Sequence, residues 1–359
     1  MDDRIKKIKD RFQADGIESM VVCGGSDIKY LTGFTGDYGV SVLVLTPTKD
    51  YFVTDRRFEY QASIEVPSFE TVVFKEGRGY YGEAGRLIHD LNLKRVAVQE
   101  DKLSHADYRK LAEWNPDVTF IPAPPYVSDL RQVKTSEELA IIRQACNITE
   151  RSFYALLDFI KPGVTEIDVA NELEYQFRSR GGSGFCFETI VASGPDNGAN
   201  CHATPSMRKL EKGDFVTIDF GTRYNGYCSD MTRTVSIGTP KNPELLKIYD
   251  TVKRAKAEMA ASLHAGLSMS ELDTIGRRVV GEAGYTIPHG LGHGFGLDIH
   301  EDPFISASNH YRLEAGVVHT IEPGVYVPGV GGVRIEDDYL ITDDGAECLM
   351  KVTNELVVL

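Results

Sequence analysis

The stretch IDFGTRYNGYCSDMTRTV, Ile218 to Val235, and the stretch IEPGVYVPGVGGVRIEDDYL, Ile321 to Leu340, share one plan. Each places an acidic residue before a glycine-containing turn and a second acid on the returning segment: Asp219 and Asp230 in the first, Glu322 and Glu336 in the second. A chain reversal brings carboxylates that are distant in sequence into one pocket, so the two stretches read as related β-hairpins. Acids at such positions also cap turns or face solvent, and spacing by itself leaves that reading open.

Between the hairpins lies His289-Gly-Leu-Gly-His-Gly-Phe-Gly296, followed by His300. Histidine supplies a neutral nitrogen ligand, and the glycines permit tight turns and close approach of backbone to a small site. Histidines embedded in glycine beside four separated acids are harder to explain as turn chemistry. Around them the apolar spacing predicts helices over Ser136 to Phe159, Ile167 to Phe177, Leu245 to Leu263 and Leu272 to Val280. Extended segments are expected at Cys186 to Ala192, Phe215 to Phe220, Val318 to Ile321 and Val333 to Ile335, a mixed α/β domain. Ser136 with Glu138 offers a helix start but not the full capping-box spacing.

Towards the N-terminus, short apolar runs alternate with polar helical patterns. Strands are expected at Met20 to Cys23, Val40 to Leu45, Tyr51 to Thr54, Thr71 to Phe74 and Val96 to Val98, with helices at Asp2 to Phe12 and Gly82 to Leu91. Gly24-Gly25-Ser26 reads as an ordinary turn, since it lacks the glycine spacing of a phosphate-binding loop. The proline-rich stretch Ile121 to Pro125 is stiff and helix-breaking, which suits a domain boundary. The expectation is an α/β chain of two domains, 1–128 and 129–359, a division that a chain of 359 residues allows.

Composition narrows the function. A formal charge of -14, from 53 acidic against 39 basic residues, opposes an extended nucleic-acid surface. The start, MDDRIKKIKDRF, alternates charged and apolar residues and carries no uninterrupted apolar run, so neither a signal peptide nor a membrane span is expected. Six scattered cysteines without a CxxC pair indicate neither a disulfide framework nor a zinc-thiolate site and suit a cytoplasmic protein.

The ordered set of motifs resembles the methionine-aminopeptidase-like metallopeptidase superfamily, and within it the proline-peptidase branch of aminopeptidase P and prolidase. The likeness is carried by Thr217 to Gly221, Ser229-Asp230-Met231-Thr232-Arg233, His289 to Gly296, His300-Glu301, Ile321-Glu322-Pro323-Gly324 and Val333 to Asp337. It covers the second domain nearly completely, and Tyr30 to Gly36 resembles the N-terminal domain that accompanies it. The resemblance implies a creatinase/prolidase-type N-terminal domain and a pita-bread catalytic domain. In that fold Asp219 would bind one metal, Asp230 and Glu336 would bridge two, and His293 and Glu322 would bind the second.

Four carboxylates in one small pocket repel one another unless cations join them, which gives this ligand set electrostatic sense. One imidazole among oxygen donors favours manganese, with cobalt or zinc as alternatives. By the same resemblance His202, in Asn200 to Pro205, would orient substrate, His300 would contact the scissile carbonyl, and His289 would stand in the pocket without ligating. Arg334, two residues before Glu336, would face the same side of an extended segment and support the ligands, and Glu336 would also accept a proton. The expected activity is removal of the residue preceding proline from short peptides, an Xaa-Pro aminopeptidase, with prolidase as the close alternative. A creatinase-like hydrolase and a noncatalytic peptide-binding protein of the same fold are more distant alternatives, and a homodimer is expected.

Overall fold

The computed structural model describes residues 2–240 and 242–359. The chain divides into two compact units, the first ending at Arg131 and the second beginning at Gln132. Among the described residues, no helix is long and apolar enough to cross a membrane.

In the first unit, strands β1 (Ser19–Val22), β2 (Ser41–Leu45), β3 (Asp50–Thr54), β4 (Glu70–Val73), β5 (Arg95–Val98) and β6 (Thr119–Pro122) form a mixed sheet in the order β4-β3-β2-β1-β5-β6. Helices α1 (Asp2–Asp15), α2 (Gly25–Thr32), α3 (Glu59–Glu65), α4 (Gly79–Asp90), α5 (His105–Glu113) and α6 (Tyr126–Gln132) connect or follow them. The central strands are buried along their whole length. That explains why they read as continuous apolar runs rather than alternating ones. Val21, Val44, Val53 and Val96 pack with Leu87, Ile88 and Leu111 from the helices.

One expectation fails here. Gly25 opens α2 with Gly24 as its N-cap, because the Gln99 side chain accepts hydrogen bonds from the Cys23 and Gly24 N–H groups, a partner from far along the chain. The proline stretch is not wholly irregular: Ile121 and Pro122 complete β6, an edge strand, where a residue without an N–H is tolerated. Pro124 and Pro125 then lead directly into α6.

The second unit holds helices α7 (Ser136–Leu157), α8 (Glu166–Ser179), α9 (Pro243–Ser262) and α10 (Met269–Glu282). Its strands are β7 (Ile190–Ser193), β8 (Phe215–Phe220), β9 (Arg223–Tyr224), β10 (Tyr227–Cys228), β11 (Met231–Ser236), β12 (His293–Gly294), β13 (Glu301–Phe304), β14 (Val318–Ile321), β15 (Gly324–Val327), β16 (Gly331–Arg334), β17 (Asp337–Ile341), β18 (Ala346–Cys348) and β19 (Val357–Val358). One sheet runs β19-β11-β8-β7 and another β13-β12-β14-β17-β18, with two-stranded ribbons β9–β10 and β15–β16. The N-cap of α7 is Thr135, whose hydroxyl accepts from the Glu138 N–H while Glu138 returns to the Thr135 N–H. The capping box is therefore complete one residue before the expected Ser136 start. Leu245, Ile248, Val252 and Met259 of α9 and Leu272, Val279 and Val280 of α10 bury against Val317, Ile321, Val325, Val333 and Ile335. Each such side chain contributes about 1.5–3 kcal/mol when fully buried. This core holds the backbone that carries the acids.

Candidate metal centre

The hairpin reading of the first acidic stretch holds. Strands β8 and β11 pair antiparallel with Asp219 opposite Thr232, and Asp230 immediately precedes β11. The tip is the β9–β10 ribbon, turned by Asn225 and Gly226 at φ 48 and 92, the paired positive φ of a tight hairpin turn. Gly221 is required where the chain returns, since a Cβ there would overlap the Ser229 carbonyl oxygen.

The second acidic stretch is a hairpin that changes sheets. Ile321 pairs with Asp337 in the β14–β17 ladder and Gly324 pairs with Arg334 in the β15–β16 ribbon. Glu322 and Glu336 occupy the crossover between the two ladders. The extended segment expected at Val333 to Ile335 is the end of β16, which stops at Arg334, and β17 begins after Ile335-Glu336. His293 comes from β12, beside β14, and Gly292 before it sits at φ +149 with no room for a Cβ against the Thr320 carbonyl.

These elements bring the predicted ligands together. Asp230, His293 and Glu336 offer donor atoms within 4.8 Å of one another, and all three side chains are buried. His293 Nε2 stands 3.6 Å from Asp230 Oδ2 and 3.7 Å from Glu322 Oε1. Its other nitrogen, Nδ1, lies 3.0 Å from the Gly294 carbonyl oxygen, which assigns the proton to Nδ1 and leaves a lone pair on Nε2. A lone pair facing two carboxylates is repulsive unless a cation stands between them. Protonating His293 is opposed, because burial and the neighbouring His300 push it down to about 3.

The acids tell the same story: burial, then the Glu336 and Asp219 charges, push Asp230 well above the carboxylate range. Burial and Asp219 push Glu336 up to about 8, opposed by the Thr232 hydroxyl. Asp219 Oδ1 and Asp230 Oδ1 are buried without a hydrogen-bond partner. A divalent cation satisfies all of these atoms, so the residues present fit a metal.

Asp219 is held by Arg334, whose Nη2 donates to Asp219 Oδ2. Arg334 Nη1 donates to the Tyr326 hydroxyl and, at 3.1 Å, to the Cys201 carbonyl, and Nε lies 3.3 Å from Thr232 Oγ1. The Thr232 hydroxyl donates to Glu336 Oε2 at 2.6 Å. His300 stacks edge-on to His293 with ring centroids 4.5 Å apart and is exposed at the cavity. His289 turns Nδ1 to the Gly290 carbonyl, 2.6 Å, and Nε2 to the Tyr326 hydroxyl, 3.2 Å, so both nitrogens are occupied. His202 is exposed on the loop after β7. All of these histidines line one cavity of about 690 Å³ with Arg334 and the acids, and its apolar wall includes Phe187, Ile190, Ile299, Phe304 and Ile305.

Thr232 and Tyr326 are site residues that sequence reasoning missed. Period-2 alternation from Asp230 would have found Thr232 on the same face. Tyr326 pairs with Gly332 across the ribbon, and a Cβ at Gly332 would collide with its ring. The expected strand Cys186 to Ala192 begins only at Ile190, because Phe187 to Thr189 leave the sheet to line the cavity.

Known proteins match this chain over nearly its whole length. Residues 140–343 match metallopeptidase family M24, and residues 4–133 match the creatinase/prolidase N-terminal domain. The Xaa-Pro dipeptidase of Pyrococcus furiosus is 34% identical, covering 99% of this chain and 100% of that protein. The structure of an Xaa-Pro dipeptidase from Bacillus anthracis is 37% identical with a TM-score of 0.93, covering 99% of each chain. That of an X-Pro aminopeptidase from Thermotoga maritima MSB8 is 34% identical with a TM-score of 0.86, covering 96% of this chain and 98% of that one. The dipeptidase names favour the prolidase alternative over the aminopeptidase reading. The chain belongs to metallopeptidase family M24, with a creatinase/prolidase N-terminal domain before an M24 domain.

Proposed function

We propose that this M24 metallopeptidase hydrolyses the bond to the proline nitrogen of Xaa-Pro dipeptides. The observation that carries a metal-dependent reaction is His293 Nε2 facing Asp230 and Glu322 with its only proton committed elsewhere. The relatives' dipeptidase names support the substrate class. Asp219, Asp230, His293, Glu322 and Glu336, in a catalytic domain over residues 129–359, would hold two divalent ions, manganese ahead of cobalt or zinc. When bound, such ions supply polarisation of a carbonyl and an acidified water.

The remaining work falls to the chain. Glu336 accepts the proton of the attacking water while the Thr232 hydroxyl fixes one of its oxygens. His300 and His202 donate to the carbonyl oxygen as charge develops there. Arg334 holds Asp219 in place, and His289 supports the wall through Tyr326. A cytoplasmic homodimer is part of the same reading.

One observation favours an Xaa-Pro aminopeptidase as the second reading. Among the described residues lining the cavity, the arginine and lysine side chains are represented by Arg334 alone, and its donors are engaged by Asp219, Tyr326 and Cys201. A free proline carboxylate would then have to be met by histidine, whereas a longer peptide carries no charge at that point. Initial rates on matched Xaa-Pro, Xaa-Pro-Yaa and non-proline peptides decide. Cleavage confined to the dipeptide supports the prolidase reading, and equal cleavage of the tripeptide supports the aminopeptidase. Rapid hydrolysis of the control alone defeats both, and binding without cleavage by the metal-loaded protein leaves a noncatalytic peptide binder.

A further inference from the structure

We infer that Glu166 is a positioning residue that clamps both ends of the His202 loop and acts on turnover through that loop. The inference rests on the role of His202 proposed above. Glu166 lies in the first turn of α8, directly after its N-cap Thr165, and is fully buried. It is not among the residues that line the cavity. Its Oε1 accepts from the Ser193 N–H at 2.8 Å and the Ser193 hydroxyl at 2.6 Å. Its Oε2 accepts from the Asn197 side-chain amide at 2.7 Å, the Ser206 N–H at 3.0 Å and the Ser206 hydroxyl at 2.6 Å.

Ser193 is the last residue of β7, and Ser206 follows Pro205. Between them the chain leaves the sheet and carries Cys201, His202, Ala203 and Thr204 to the cavity wall. A single carboxylate therefore ties the point where this loop departs to the point where it returns. Arg334 fixes the middle by donating to the Cys201 carbonyl.

The directions of the hydrogen bonds show why the clamp needs a carboxylate. The Ser193 hydroxyl accepts from Arg208 Nη1 at 2.7 Å, and the Ser206 hydroxyl accepts from the Arg208 N–H at 3.1 Å. Each hydroxyl thus has a lone pair engaged by Arg208 and spends its one proton on Glu166. The backbone N–H groups of Ser193 and Ser206 cannot reverse. Either carboxylate oxygen replaced by an amide NH2 would set donor against donor in a buried place.

The experiment is Glu166→Gln in the full-length, metal-loaded protein, with Asn197→Ala as the milder variant should the first not fold. Expected are unchanged metal content and backbone amide exchange of residues 194–206 at least about tenfold faster. Protection in α9 and α10 should remain. The kcat should fall about tenfold to a hundredfold, the size of a misplaced group's effect, with little change in KM. Adding His202→Ala to Glu166→Gln should cost little beyond His202→Ala alone, because both act through one group. Losses that multiply in full, or amide exchange in 194–206 equal to wild type in both Glu166→Gln and Asn197→Ala, would overturn the inference. Failure of wild type to cleave any proline peptide would sink the peptidase reading instead, and the exchange measurement would still decide whether Glu166 clamps the loop.

Discussion

Glu336 and Asp337 are neighbours in the chain, each about 1% exposed, and their surroundings are opposite. Asp337 accepts from Arg233 Nη2 at 2.5 Å and from the Lys256 ammonium, and Arg233 and Lys256 are themselves buried. Glu336 has the Thr232 hydroxyl and otherwise shares its space with Asp219, Asp230 and Glu322. Successive residues of an extended segment point to opposite faces. One face of this crossover is neutralised by cations that the chain supplies, and the other carries more buried carboxylate than Arg334 alone can balance. A fold that leaves one carboxylate cluster short of cations while completing the cluster next to it is built to take its missing charge from solution.

The severest test of that contrast is removal of metal. Stripped protein should lose turnover completely and regain it with manganese, while Asp219→Asn and Glu336→Gln should not be restored. Metal analysis paired with initial rates checks this, and full activity at zero bound metal would end the contrast. On the opposite face, Lys256→Met leaves Asp337 with one cation and should destabilise the protein by about 3–5 kcal/mol, the cost of breaking a buried pair. Denaturant unfolding with metal bound measures it, and an unchanged midpoint would mean that the Asp337 side needs no partner either. His202→Ala and His300→Ala come next. On the proposed mechanism each removes a donor to the developing charge, worth about 2–4 kcal/mol in the transition state. Turnover should drop while bound metal stays, and normal kinetics in both variants would remove these roles.

The metal side could be proposed from sequence because charge without a partner leaves a mark there and because the motifs resemble a known family. The acids recur before and after glycine turns, and the histidine lies in glycine that strand crossings demand. Its partnered counterpart left no such mark. Arg233 finds Asp337, Val352 and Thr353 only after β11 and the C-terminal segment meet, and Lys256 reads as an ordinary residue of a long amphipathic helix. Glu166 likewise looks like a first-turn acid favoured by the helix dipole. The same logic holds in the first unit. Gly24-Gly25 has the local chemistry of a turn, and only the Gln99 side chain makes it a helix start. Pro122 likewise reads as a strand breaker until β5 supplies the partner that pairs with β6.

The smallest effect is also the sharpest, because its sign differs between the two neighbours. In the metal-free protein, burial and the nearby acids raise Glu336 from 4.5 to about 8. A raised carboxyl gives stability that is present below its unfolded value and lost as pH climbs through the folded value. Metal-free wild type should therefore weaken between pH 4.5 and 8. Glu336→Gln removes the charge, keeps an oxygen for the Thr232 hydroxyl, and should raise metal-free stability by on the order of 1 kcal/mol, with the gain growing from pH 5 to pH 8. Asp337→Asn removes a charge that two buried cations require and should lower stability under the same conditions. Thermal unfolding of both variants in chelator at the two pH values makes the comparison. If Glu336→Gln destabilises as much as Asp337→Asn, the unbalanced face is no more strained than the balanced one, and the electrostatic case for bound cations loses its support.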